Sequence, residues 1–254
     1  MPDKETLAQM YGPEYYDGSY DTDLSAEGTK DPLEVVKWLK KSGGGTFIDY
    51  GCGTGALLTE AVKLNWEAIG VEFDEEVAKT VEAHTGAKVV NSSIELGGEP
   101  SADILHLGDV IEHLTETNQQ MPEILRLIKP GGLLLAQGPL EANTNLFAFV
   151  LRVARSLKRS RRTEMAPYHV MLATAEGQRK LFERLGLKEL EFTIHEVAWP
   201  APSRLSRSEL RRPRLTGLFV LRRLSQMSSA FRPSRWGNRY FYVGRRDSQA
   251  ARQQ

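Results

Sequence analysis

The sequence predicts an α/β fold built on a doubly wound, mostly parallel sheet, and three observations predict it. Short apolar runs alternate with helix-like segments between residues 46 and 138. The first run, Thr46-Phe47-Ile48-Asp49, passes directly into a glycine turn, Gly51-Cys52-Gly53-Thr54-Gly55, and then a helical pattern. Several runs also finish on polar or acidic residues, so their ends gather at one edge of the sheet. Strands that alternate with helices require parallel pairing with both faces covered. Ligands of such sheets bind beyond the carboxyl ends of the strands, near the topological switch point.

The glycine turn organises the rest. Glycines at alternate positions let the backbone bend sharply and approach a ligand where a Cβ would collide. The helix behind them aims its free N–H groups over the turn. A nucleotide-like cofactor is the expected occupant. Gly51, Gly53 and Ala56 alone also satisfy a dinucleotide fingerprint, with an acid about twenty residues on. That acid is Glu72, closing the run Ala68-Ile69-Gly70-Val71, and in either reading it accepts hydrogen bonds from ribose hydroxyls. Later motifs have to decide the cofactor.

The 254 residues can bury one substantial core, or a core with an inserted cap. The single cysteine, Cys52, excludes an internal disulfide and offers no metal cluster, so no metal site is expected. The first residues do not read as a signal peptide, no apolar run approaches membrane-spanning length, and a cytoplasmic setting is expected. A formal net charge of zero conceals a polarity along the chain. Residues 1–150 hold 10 Lys/Arg against 25 Asp/Glu, and residues 151–254 hold 23 against 8. Such asymmetry fits an anionic partner, docking of one half on the other, or a solvated basic face.

In order, residues 1–30 form an acidic arm with Tyr11, Tyr15, Tyr16 and Tyr20 set among turn residues. A helix starts at Asp31-Pro32, with Asp31 as N-cap, and stops at Ser42-Gly43-Gly44-Gly45. Strands are expected at 46–50, 67–72, 88–91, 102–107 and 133–138. Helices are expected at about 55–65, 74–84 and 117–128, the last ending at Lys129-Pro130-Gly131-Gly132. Residues 139–172 hold an amphipathic basic helix (145–162), then Pro167-Tyr168-His169. A helix at 174–185 and a strand at about 187–197 return to the core. Residues 198–236 form a second basic insert around a short helix, Leu215 to Ser228. Residues 237–245 read as a last core strand, and 246–254 as a frayed tail.

Together the motifs resemble a class I S-adenosylmethionine-dependent methyltransferase of the group that modifies small molecules. Asp49-x-Gly51-x-Gly53-x-Gly55, Val71-Glu72-x-Asp74, Asp103-Ile104 with Asp109-Val110-Ile111-Glu112-His113-Leu114, and Leu127-Ile128-Lys129-Pro130-Gly131-Gly132 carry the resemblance. It covers roughly residues 30–197 and the last strand. It implies a Rossmann-like, seven-stranded sheet with a C-terminal antiparallel strand and helical inserts over the acceptor site. The implied cofactor is S-adenosylmethionine, converted to S-adenosylhomocysteine.

The resemblance also assigns residues. Gly51, Cys52, Gly53 and Gly55 would lie under the methionyl part, with Cys52 a small loop residue and not a nucleophile. Asp49 would reach the methionyl ammonium and Glu72 the ribose, and Phe73 would flank adenine. Ser93 stands where many relatives hold an acid for the adenine amino group. Leu107, Gly108 and Asp109 would border the sulfonium, and Tyr15, Tyr16 and Tyr20 would be lid residues closing over the cofactor. His113 and His169 are the candidates for a base that takes a proton from the acceptor, since histidine titrates near neutrality. Asp109 and Glu112 read as turn and helix-start residues, and His84, His106 and His195 as structural. The acceptor implied is a hydroxyl of a sugar, a phenol or quinone precursor, or a secondary-metabolite intermediate. Competing readings are lipid-linked substrates met at an anionic membrane surface through the basic inserts, nucleic-acid methylation, and a non-catalytic binder of S-adenosylmethionine.

Overall fold

A computed structural model of the protein describes residues 30–97, 99–157, 170–197 and 205–247. Seven strands form one sheet in the order β3-β2-β1-β4-β5-β7-β6. They are β1 (Thr46–Tyr50), β2 (Glu67–Val71), β3 (Lys88–Val90), β4 (Ala102–Gly108), β5 (Ile128–Pro139), β6 (Leu187–His195) and β7 (Arg239–Arg246). The pairs β1–β2, β2–β3, β1–β4 and β4–β5 are parallel, while β7 runs antiparallel to both β5 and β6. The chain builds outward from β1 to β3, then returns to the other side of β1 with β4. That reversal places the switch point between β1 and β4.

Helices cover both faces because the strands alternate their side chains between two cores. Ile48, Leu105, Leu134 and Tyr242 point to one core, and Phe47, Ile104, Leu135 and Val243 to the other. The first core receives Met121, Ile124 and Leu125 of α4 (Thr117–Arg126) and Phe182 of α6 (Ala175–Arg184). Phe182 stacks on Tyr242 with ring centroids 3.9 Å apart. The second core takes Leu39 of α1 (Lys30–Ser42), Leu58 of α2 (Ala56–Lys63) and Val81 of α3 (Glu75–Thr85). N-caps fall where short polar side chains precede helices: Asp74 accepts from Glu76 and Val77, and Thr174 from Gly177.

The first helix already includes Lys30, so Asp31 lies within it and is not its N-cap. Three further boundaries differ from the sequence reading. Lys129-Pro130-Gly131-Gly132, expected to separate helix from strand, lies inside β5. The register jumps there, from Ala102 opposite Ile128 to Ile104 opposite Leu133, so these residues bulge from the strand without ending it. The strand expected to stop at 245 continues through Arg246, whose guanidinium donates to the carbonyls of Leu125 and Arg126 at 3.1 Å and to that of Ile128. It satisfies carbonyls left over at the end of α4, which anchors a residue expected to fray. The short helix at 215–228 is instead a 19-residue helix, α7 (Pro213–Phe231), with Pro213 in its first turn.

The two inserts meet. α5 (Leu146–Leu157) packs on α7 through the peptide N–H of Phe147, which donates to Ser225 Oγ at 3.0 Å. Arg222 of α7 lies over the Phe147 ring at 3.6 Å and pairs with Glu196 at 2.6 Å, its side chain 2 % exposed and the carboxylate 1 %. The inserts thus close on a buried ion pair placed directly after β6.

Candidate cofactor and acceptor site

At the carboxyl edge, β1 ends at Tyr50 and the chain turns back over β2. The peptide N–H groups of Gly51 and Cys52 both donate to Val71 O, at 2.8 and 3.2 Å. Gly51, Gly53 and Gly55 have φ of 77°, 51° and 75°, left-handed values that favour glycine. At Gly55 a Cβ would also stand 2.5 Å from Val81 Cγ1. Gly55 occupies the N-cap of α2 with no side-chain cap, so the first N–H groups of the helix stay open over the turn.

Glu72 follows β2 and is 5 % exposed. Its Oε2 accepts from the Gly53 N–H at 3.0 Å and its Oε1 from the Asp74 N–H at 3.2 Å. The glycine turn therefore aims the carboxylate, as a group meant to receive a diol requires. Phe73, beside it, is 75 % exposed. Ile94, which the sequence reading passed over, is 85 % exposed after the neighbouring strand β3. Two large apolar side chains left bare on adjacent strand ends offer a surface for a flat, weakly polar ring. Ser93 opens the 3₁₀ turn that carries Ile94, Ser93–Leu96, which Ser92 and Glu95 cap reciprocally.

Asp49 is buried, and its Oδ1 lies 2.7 Å from His106 Nδ1 across the β1–β4 register. His106 thus holds the acid beneath the glycine turn, a role in the site that its apolar surroundings in the sequence concealed. Cys52 turns its thiol into the core, where burial pushes it well above the usual thiol range and Asp49 and Glu72 push further. It is a neutral packing group, and only its backbone faces the turn. Leu107 is fully buried in the sheet core, leaving Gly108 and Asp109 to form the rim at the end of β4.

Asp109 takes a left-handed φ of 54° and receives a two-pronged pair from Arg239 at 2.8 and 2.5 Å. Burial works to raise this carboxyl, but the Arg239 guanidinium, with help from His113 and His106, outweighs it and holds it below the ordinary range. Glu112 goes the other way. It is 4 % exposed, its Oε1 has no hydrogen-bond partner among the described residues, and burial together with Asp109 drives it well above the usual value. Glu112 does stand in a short helical turn, Ile111–His113, as expected, and is in addition a buried acid. Its backbone carbonyl accepts from Val170 and Met171 at 2.9 and 3.1 Å, so the insert returns to the core beside His113. His113 is half-buried one residue on, close enough to act on Asp109. His169, Tyr15, Tyr16 and Tyr20 lie outside the described residues.

The sign of the Glu112 effect can be measured. Its raised value means the folded chain holds a proton the unfolded chain has released, so stability falls as pH rises from 4.5 towards the folded value. Glu112→Gln, which mimics the protonated acid, should raise the melting temperature relative to the parent at neutral pH. Below 4.5 the two curves should converge. Equal melting temperatures throughout would mean that Glu112 is not held protonated.

Comparisons with known proteins fall on these same residues. Residues 48–136 match the family model described as "Methyltransferase domain". A curated relative from Mycolicibacterium smegmatis, named a probable S-adenosylmethionine-dependent methyltransferase, is 26% identical over 170 residues. That match takes in 63% of this chain and 59% of the relative, so it spans about three-fifths of the relative's length. The chain is thus similar to S-adenosylmethionine-dependent methyltransferases, and its residues 48–136 match a methyltransferase domain.

Solved methyltransferases share the fold. Phosphoethanolamine N-methyltransferase 2 of Haemonchus contortus, in complex with S-adenosyl-L-methionine, superposes with a TM-score of 0.57 at 16% identity, over 92% of this chain and 56% of that one. Magnesium protoporphyrin IX methyltransferase of Synechocystis PCC 6803, with bound S-adenosylhomocysteine, gives 0.57 at 14% identity, over 97% and 100%. The edge of the present sheet fits the cofactor that those two structures hold. A side-chain-free turn, an aimed carboxylate, exposed apolar surface and the acids Asp49 and Glu72 suit a cationic sulfonium nucleoside. They suit a dinucleotide, with its two phosphates, poorly.

Proposed function

We propose that this methyltransferase moves the methyl group of S-adenosylmethionine to a small-molecule acceptor, with a hydroxyl oxygen of a sugar, a phenol or quinone precursor, or a secondary-metabolite intermediate favoured. The observation that carries the proposal is the Gly53–Glu72 contact: a loop N–H and a buried carboxylate fixed on each other at the strand edge, within the matched domain. The bound cofactor supplies an activated methyl group on a good leaving group. The protein supplies position and electrostatics. Glu72 holds the ribose, Phe73 and Ile94 present apolar surface to the adenine, and the Gly51–Gly55 backbone seats the methionyl end above Asp49. Fixing the acceptor in line with the transferring carbon accounts for much of the rate.

A hydroxyl acceptor also has to lose a proton, and His113 is the residue assigned to take it. His169 is the second candidate; Val170, the residue after it in sequence, donates to the carbonyl of Glu112, next to His113. Tyr16 and Tyr20 are proposed to close the cofactor side. Purified protein given tritium-labelled S-adenosylmethionine and a panel of sugar, phenol and quinol acceptors should label a hydroxyl. His113→Ala should lower that turnover by about a hundredfold, within the usual range for a general base, while cofactor affinity changes little. Full turnover in the variant removes His113 from the base role, and labelling only of amines moves the acceptor class to nitrogen.

A further inference from the structure

Helix α7 is turned inside out. Its buried positions are polar, with Arg222, Ser225 and Ser229 at 2 %, 0 % and 4 % exposure. Its outward stripe is apolar: Val220, Leu224, Met227 and Phe231 recur at helical spacing, and the last two are 65 % and 85 % exposed. A helix that merely covered a core would show the reverse. The adjoining helix α5 buries Phe147 and leaves Phe149 and Val153 exposed, 56 % and 43 %. Exposed apolar surface of this kind on a folded chain marks a place where something docks.

Charge identifies the occupant. Residues 205–236 contain eight arginines, no lysine and a single acid, Glu209. Residues 146–168 hold six Lys/Arg against Glu164 alone. Arg152, Arg223, Arg232 and Arg235 are all exposed on or beside the two helices. An apolar stripe flanked by arginines is the pattern of a helix that lies in a membrane interface and draws on anionic headgroups. A second copy of this chain would bring two such basic faces together and be repelled.

We infer that the outward faces of α5 and α7 form a docking surface for an anionic lipid membrane. α7 lies parallel to the surface, with a stripe roughly 16 Å long from Val220 to Phe231 inserted at the headgroup level. Among the described residues no helix is long and apolar enough to cross a membrane, so attachment is peripheral. α5 follows the carboxyl end of β5, and α7 leads into β7, whose Arg239 pairs with Asp109. The surface therefore grows from the same sheet edge as the site.

Flotation of the whole protein with vesicles tests this, comparing phosphatidylcholine containing phosphatidylglycerol with phosphatidylcholine alone, at low and high salt. Recruitment should require the anionic lipid and weaken as salt rises. The combined substitution Leu224→Ser, Met227→Ser and Phe231→Ser should lower partitioning at least about tenfold. These side chains touch solvent, so melting temperature and S-adenosylmethionine affinity should hold. No recruitment to either vesicle overturns the inference, as does recruitment that survives the substitutions. A dimer in sedimentation that the same substitutions dissociate also overturns it, by making the face a self-association surface. None of these outcomes bears on methyl transfer to a soluble acceptor, so the inference and the proposed function fail separately.

Discussion

Gly53→Val abolishes measurable S-adenosylmethionine binding in calorimetric titration while the protein stays folded; this is the expected result. Gly53 has φ 51°, where a β-branched side chain is strained by roughly 1–2 kcal/mol. In the free protein the loop relieves that strain by leaving the left-handed region, and binding then has to force it back. Leaving it also withdraws the Gly53 N–H from Glu72 Oε2, a hydrogen bond to a charged group of about 1.5–3 kcal/mol. Together these reach about 4 kcal/mol, roughly a thousandfold in affinity. Because the turn is at the surface edge, melting should fall by only a few degrees, about 2–4 °C per kcal/mol in a chain of this size. Normal binding by the variant would show that the ligand does not lie over this turn.

The second large effect is on folding. Arg222→Ala should destabilise the protein by about 3–5 kcal/mol, read from denaturant midpoints at constant slope. Truncation leaves the Glu196 carboxylate, 1 % exposed, buried without its guanidinium, and strips the cation from the face of Phe147. Arg222→Met, combined with Glu196→Gln, should recover much of the loss, since replacing both partners removes the stranded charge. An Arg222→Ala variant as stable as the parent would mean that the two inserts do not depend on this pair.

What could be read from the residues, and what could not, follows the range of each interaction. The strand–turn–helix around Gly51–Gly55 and the acid at Glu72 were readable because steric and hydrogen-bonding demands there act within a few residues. The count of seven strands and the antiparallel last one came only with the resemblance, and the strand order only with the structure, since apolar alternation does not say which edges pair. Asp109 gave no sign of its ion pair, because Arg239 is 130 residues away in sequence. Glu112 looks like any helix-start acid in the sequence; its burial comes from a distant strand, β5, where a Cβ added at Gly138 would stand 3.4 Å from its Oε2. α7 was under-read because its polarity is inverted, so the periodicity of apolar residues did not mark the side that packs. His106 was set aside as structural, and so it is, yet its bond to Asp49 puts it directly under the site.

The reversed strand has a consequence for synthesis. β6 leaves the ribosome before β7, yet among the described residues its only neighbour in the finished sheet is β7, and β5 likewise waits on the same late arrival for its outer edge. Until residue 246 has emerged, two rows of peptide groups face water, and exposed edges of that kind recruit stray strands from other chains. The nascent protein thus passes through a window in which its glycine turn has been made but Asp109 still lacks Arg239, and holdase chaperones have most to protect then.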